Sequence, residues 1–466
     1  MDFLRRLGAA IDQDYIPWKT LIITFSVAEY ALESYLTYRQ YQILKSQRIP
    51  AQLKNEIDQK THDKSQAYGR AKAQFGVING AFNQLKNLAL ISYDFYPAWW
   101  AVSGLLVNRF FPVRFGGEIT RSLVFAFSYS WVETIIGLPF SWYHHFVLEE
   151  KFGFNKQTVG LWITDMIKGQ ALSLAFGIPI GAAFFKIIQK TGDNFFLYIW
   201  VFMLLVQLLA ITIYPSVIVP LFNKLTPLPA GDLKDRVEAL AAKLKFPLGK
   251  LQVIDGSKRS SHSNAYFTGL PGLQKQIVLY DTLIEKSTTP EIEAVLAHEL
   301  GHWKMGHTAK LLGISSFHLF YIFALFSVFI KNNSLYRAFG FETERPILIG
   351  FLLFNEVLSP TDSLVKFGMN ALTRKFEFEA DAFSFELGYA SELAAALIKL
   401  QKQNLSSMDA DWMYSAFHYS HPILTERLKA IGWTSEKRIS PEDVKIGGKE
   451  TAEQVGQNAN GEKKEL

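Results

Sequence analysis

The sequence contains no cysteine. That absence excludes disulfide staples, cysteine-ligated zinc, thiol nucleophiles and prenylation at the chain's own C-terminus. Any metal must therefore be held by histidines and carboxylates. A dense Lys/Arg tract is missing too: 48 basic and 43 acidic residues leave a net charge of +5 over 466 residues, which speaks against nucleic acid as a partner. What the chain has instead is apolar surface. Hydrophobic residues make up 49% and aromatics 14%, with 38 Phe and 10 Trp gathered in long blocks. The stretch from Met1 to Lys19 is amphipathic and lacks a cleavable signal pattern, so the first apolar block reads as an uncleaved anchor.

Crossing a bilayer core takes roughly 20 largely apolar residues in a helix. Seven segments approach this, near 18–37, 87–108, 121–147, 170–189, 194–221, 309–331 and 347–367. Several carry acids: Glu29, Glu33, Asp94, Glu133, Glu356 and Asp362. Such acids lie at helix ends or protein-facing positions, or else line a water-filled interior, because a carboxylate facing lipid is costly. The loop 38–85 holds eight Lys/Arg residues, among them Arg39, Lys45 and Arg70, so it is expected to face the cytosol. Seven crossings then put the N-terminus in the lumen and the C-terminus in the cytosol, together with 224–308 and everything after about 368. The sequon Asn332-Asn333-Ser334 falls in an expected lumenal loop, close to the sixth span.

Between the fifth and sixth spans lies a polar folded segment. In DLKDRVEALAAKLKF, Leu233, Val237, Leu240, Ala241 and Leu244 recur at helical spacing. KLQVID and QIVLYD read as short strands, separated by the polar SKRSSHSNAYFTGLPG. The residues from Thr434 on are polar, lack aromatics and read as a disordered tail. The expected division is 1–223 (spans one to five with the cytosolic loop), 224–308 (a cytosolic metalloprotease segment), 309–367 (spans six and seven), 368–433 (a C-terminal catalytic segment) and 434–466 (the tail).

The chemistry centres on STTPEIEAVLAHELGHWKMGH. Thr289 can cap a helix with Pro290 at its first position. His298 and His302, four apart, share one face and can point at one zinc ion. Glu299 lies close enough to take a proton from a water that the ion polarises. His307 follows closely but sits five residues from His302, off that face. The metzincin pattern would need Gly and His at positions held by Met305 and Thr308, so His307 reads as a helix-end histidine. Downstream, in TRKFEFEADAFSFELG, Glu377 and Asp381 share a face. They are either a ligand with an acid behind it that orients a histidine, or a solvated helix face. Glu379 projects to the opposite side if the segment is helical.

HELGHW together with FEFEADAF resembles the zinc endopeptidases of the type I CAAX prenyl protease family, membrane enzymes that process yeast a-factor and, in animals, prelamin A. YPSVIVPLFNKLTPLP, SKRSSHSNAYFTGL and YSHPILTERLKAI fit as well, so the resemblance runs over about 10–433. It implies Glu377 as third ligand of one Zn2+ per chain and Asp381 as the acid behind a ligand. It also implies His421 and Arg427 near the scissile carbonyl, and Asn264 and Tyr266 in a substrate-binding strip. The implied fold is a mostly α, polytopic membrane protein. Its seven transmembrane helices form a barrel around a water-filled chamber, joined to a cytosolic, gluzincin-like zinc protease unit with a short β-sheet.

The implied substrates are prenylated CAAX proteins or peptides, from which the C-terminal tripeptide is removed, with a second upstream cut for some. The bilayer is the other partner, and no oligomer is required. The implied location is the endoplasmic reticulum membrane, for some members also the inner nuclear membrane. Lys463 and Lys464 resemble a cytosolic dilysine retrieval signal. Rival readings are an HtpX-like quality-control zinc protease and a non-enzymatic seven-span receptor or transporter. A site-2-type protease fits poorly, because the zinc helix is too polar to lie in a span.

Overall fold

The protein is described by a computed structural model that covers residues 2–270 and 272–433. The tail from Thr434, with Lys463 and Lys464, lies outside the described residues. The chain is mostly helical, with one small mixed sheet. It divides into two compact units. The first takes residues up to Tyr38, then Lys72–Ile213 and Lys310–Lys366; the second takes Arg39–Ala71, Tyr214–Ala309 and the residues from Phe367 on.

The first unit is built from long helices. Among the described residues, four helical runs are long and apolar enough to cross a membrane: Glu118–Phe152, Val159–Phe222, His307–Phe329 and Ile347–Glu386. Val159–Phe222 contains two successive helices, Val159–Thr191 and Phe195–Ile213, so five of the seven expected spans fall within these runs. The segment expected at 87–108 is not one helix. Helix Gln59–Ser92 ends there, and Phe95–Phe110 begins after Asp94, whose φ of 52° breaks the helical path. Asp tolerates that left-handed backbone better than most residues, and the Asp94 carboxylate is paired with Lys19 at 2.6 Å. Nor is 38–85 simply a loop, since it is helical from Gln59 on. Apolarity alone could not reveal this, because the first half of that helix is polar.

Aromatic side chains fill the unit's two cores. Trp18, Trp100, Phe125, Tyr336 and Phe339 anchor one, and Phe185, Phe195, Phe323, Phe326 and Phe354 the other. The acids noted in the spans have partners inside this unit. Ser359 and Ser363 donate to Glu29, Lys86 pairs with Glu133, and His318 Nε2 lies 3.7 Å from Asp362. Asn332 of the sequon is 1% exposed, with Nδ2 donating to the Ile11 carbonyl and Oδ1 accepting from Leu335 N–H. The folded chain therefore offers no glycosylation acceptor there.

The second unit carries the sheet, ordered β1 (Leu225–Pro227), β2 (Leu248–Ile254), β4 (Lys275–Tyr280) and β3 (Ala265–Thr268). β2 and β4 are the two strands expected from β-branched runs, and they pair in parallel. The polar segment between them is not merely a connection: it supplies β3, which pairs antiparallel with β4 and forms an edge. Helices Asp232–Leu244 and Thr289–Lys304 cover the sheet through Val237, Leu240, Leu244, Leu296 and Leu300, against Ile277 and Leu279. The N-cap of Thr289–Lys304 is Thr288, one residue before the expected cap. Its N–H donates to Glu291 at 2.7 Å.

Helix Thr289–Lys304 packs closely on the Phe367–Glu386 part of Ile347–Glu386. A Cβ at Gly301 would stand 3.2 Å from Ala380 Cα and 3.1 Å from the Phe383 ring. Backbone cannot give way as a flexible side chain can, so the pair of small residues sets the helix spacing. Gly301→Val is expected to cost about 1–3 kcal/mol through overpacking. It is read as a lower melting temperature in detergent, and wild-type melting would contradict this packing.

Candidate metal centre

Two helices of the second unit bring the donors together. Thr289–Lys304 carries His298, Glu299 and His302, and Ile347–Glu386 carries Glu377 and Asp381. The four-residue spacing places both imidazoles on one helical face, as expected. Their Nε2 atoms lie 3.2 Å apart. Glu377 closes the set, with Oε2 at 3.5 Å from His298 Nε2 and Oε1 at 3.3 Å from His302 Nε2.

These distances test whether a metal fits. Ligands about 2.0–2.1 Å from a tetrahedral zinc stand roughly 3.3 Å from one another; the two nitrogens meet that spacing, and each has one oxygen of Glu377 at a similar distance. Glu377 is 5% exposed, and its Oε2 has no hydrogen-bond partner. A buried carboxylate oxygen left in this way is costly unless a cation satisfies it. The donor set of two imidazoles and one carboxylate fits zinc.

Asp381 lies behind the ligands. It is fully buried, and its Oδ1 accepts from His298 Nδ1 at 2.8 Å, leaving Nε2 of that ring for a metal. Arg427 reaches the same carboxylate with two nitrogens, Nε at 2.8 Å from Oδ2 and Nη2 at 2.6 Å from Oδ1. Its Nη1 stands 3.7 Å from Glu377. The guanidinium is thus largely engaged in holding Asp381. His421 is 64% exposed at its side chain, and its Nε2 approaches Glu377 Oε1 at 3.2 Å.

A cavity of about 240 Å³ opens on this cluster, lined by His298, Glu299, His302, Glu377, His421 and Arg427, with Asn264 and Ala265 of the edge-strand segment. Leu283, Val295, Leu393, Leu397 and Leu400 give it an apolar wall. Among the described residues, Tyr266 is not part of that lining: its ring stands edge-on to Tyr280, 6.5 Å away. Burial raises the pKa of Glu299 above the ordinary carboxylate value.

Two residues take a part that spacing did not suggest. His307, read as a helix-end histidine, is 2% exposed and meets His302 Nδ1 at 2.9 Å. Glu379, placed on the opposite face from Glu377, reaches His307 Nε2 at 2.9 Å. The signal that could have found them is the turn at Gly306, whose φ of 68° ends the first helix and lets His307 fold back.

Metal binding here must compete with a proton. Burial opposes charge on His298, but the hydrogen bond to Asp381 and the neighbouring Glu377 carboxylate outweigh it and hold its pKa up at about 9 in the metal-free chain. The raised value means the proton is present throughout the neutral range and must leave when a metal enters. Apparent zinc affinity, measured by chelator competition, is expected to rise about tenfold per pH unit between roughly pH 6 and 8. An affinity flat across that window would contradict the coupling.

Comparison with known proteins agrees with this geometry. Residues 40–224 match a family described as CAAX prenyl protease N-terminal, five membrane helices, and residues 227–434 match peptidase family M48. CAAX prenyl protease 1 of Saccharomyces cerevisiae is 48% identical over 448 residues, covering 93% of this chain and 99% of the yeast protein. The human CAAX prenyl protease 1 homolog is 40% identical over 451 residues, covering 88% and 94%. The crystal structure of S. mikatae Ste24p superposes with a TM-score of 0.85 at 49% identity, over 90% of this chain and all of the other. The chain belongs to the CAAX prenyl protease 1 proteins of peptidase family M48 and is a membrane metalloprotease.

Proposed function

We propose that the chain is a zinc endopeptidase that cuts peptides ending in a prenylated cysteine followed by three residues, and releases that tripeptide. The observation that carries this is the convergence of His298, His302 and Glu377, each imidazole 3.3–3.5 Å from a Glu377 oxygen, beside Glu299 in one cavity. The relatives, CAAX prenyl protease 1 of yeast and its human homolog, supply the substrate class. A membrane enzyme suits such a substrate, because a prenyl chain partitions into lipid and holds the peptide at the interface.

Bound zinc would supply a Lewis acid that polarises the scissile carbonyl and makes water more acidic. Glu299 takes the proton from the attacking water and delivers it to the departing amine. The water oxygen ends in the new carboxyl of the prenylcysteine, and the tripeptide leaves with a free amino group. His421, exposed on the cavity, donates to the carbonyl oxygen as negative charge develops there. Asp381 orients His298, and Arg427 serves by holding Asp381. The peptide extends along β3, pairing with its edge by main-chain hydrogen bonds, with Asn264 at the cavity end of that strip and Tyr266 further along.

The wider reading belongs to the same proposal. It has seven spans enclosing a chamber, a lumenal N-terminus, and a cytosolic C-terminus and gluzincin-like metal unit. The location is the endoplasmic reticulum membrane, with some protein at the inner nuclear membrane. Support comes from the Lys/Arg residues of 38–85 and from acids carried within spanning segments. A second, upstream cut on some substrates uses the same centre.

Two assays test the proposal. Glu299→Gln is expected to keep near-stoichiometric zinc by elemental analysis and to lose about 10²–10⁴-fold in turnover; wild-type turnover would rule out Glu299 as base. The purified enzyme is then given one CAAX peptide with and without a farnesyl group. Cleavage confined to the farnesylated form is expected. Equal cleavage of both would sink prenyl-dependent recognition in favour of general proteolysis.

A further inference from the structure

His302 is a candidate ligand whose second ring nitrogen faces no carboxylate directly. Its Nδ1 meets His307 Nδ1 at 2.9 Å, and His307 Nε2 meets Glu379 Oε2 at 2.9 Å. His307 is 2% exposed and lies flat on Phe376, with ring centroids 4.0 Å apart and planes 4° from parallel. Glu379 is in turn 3.7 Å from Lys375 on its own helix. Neither His307 nor Glu379 faces the cavity that holds Glu299 and His421 among the described residues.

Hydrogen placement follows from the contacts. A metal on His302 Nε2 leaves the ring hydrogen on Nδ1, so His307 Nδ1 must accept it. The hydrogen of His307 is then on Nε2, where it donates to the Glu379 carboxylate. One tautomer of each ring satisfies every contact in the line. His298 has the shorter version of the same support, a direct hydrogen bond to Asp381. The turn at Gly306 makes the longer version reachable, by returning His307 towards the helix that carries His302.

We propose that His307 and Glu379 act as positioning residues for the metal centre. Glu379 fixes the tautomer of His307, and His307 fixes the ring orientation and basicity of His302. The inference rests on the zinc reading of the preceding section. It gives the centre two unequal supports, a carboxylate behind one histidine and an imidazole–carboxylate pair behind the other. Supporting partners of this kind contribute about 10–100-fold to metal affinity.

The test measures zinc affinity of the full-length purified protein by chelator competition, alongside melting of the metal-free form. His307→Phe keeps an aromatic ring against Phe376 and removes the acceptor. It is expected to weaken zinc binding about 10–100-fold with metal-free melting unchanged. Glu379→Gln is expected to weaken binding less, and to have no further effect when combined with His307→Phe, because the two act in series. Wild-type affinity in His307→Phe, additive losses in the double variant, or a loss matched by lower melting of the metal-free protein would each overturn the proposal. Failure of the zinc reading itself looks different: the wild-type protein would hold no zinc, or His298→Ala would retain it.

Discussion

Two imidazole nitrogens stand 3.2 Å apart, each 3.3–3.5 Å from one oxygen of the same buried carboxylate, and electrostatics makes that arrangement unstable unless a cation or a proton sits among them. Much of the second unit can be read as a response to that constraint. Small residues let the two ligand-bearing helices approach at Gly301 and Ala380. The sheet and helix Asp232–Leu244 clamp the first helix from the other side through Leu296 and Leu300. Asp381 lies behind His298, and Arg427 neutralises Asp381, so the buried charges come in compensating order. A buried acid without that partner would be costly, which is why removing one member affects the others.

The first unit faces a different version of the same problem. Its helices carry acids within segments long enough to span a bilayer, and each acid named above has a partner from a neighbouring helix, as in Lys86 with Glu133 and Lys19 with Asp94. Phe and Trp supply the apolar bulk, while these polar pairs specify which helix faces which. The break at Asp94 shows how one residue serves both needs. It accepts a left-handed backbone, ends one helix and places a carboxylate beside a lysine.

What was legible in the residues follows from how local each feature is. His298, Glu299 and His302 could be read because their relation is set inside one helix. Glu377 and Asp381 could be recognised as sharing a face, but nothing local told a metal ligand from a solvated acid. Their meaning lies in the approach of a second helix. His307 does stand at a helix end and outside the donor set, but its contact with His302 is not legible from a five-residue spacing along one helix, because Gly306 ends that helix. Glu379 faces away from Glu377, and the fold brings it to His307 instead, a contact no local pattern announces. In the sheet, β-branched runs mark β2 and β4, whereas β3 is only the four residues Ala265–Thr268 within an otherwise polar segment, paired antiparallel with β4. The expected helix across 87–108 is interrupted for a similar reason, since an apolarity count does not register a backbone turn.

The central claim is that one metal is held by two imidazoles and one carboxylate. X-ray absorption at the zinc edge of the purified, active protein tests it most directly. The account requires a single zinc with nitrogen and oxygen ligands at about 2.0–2.1 Å and outer-ring scattering from two imidazoles. Scattering from three imidazoles would put His307 or His421 on the metal in place of the arrangement described, and a protein active without zinc would remove the claim altogether.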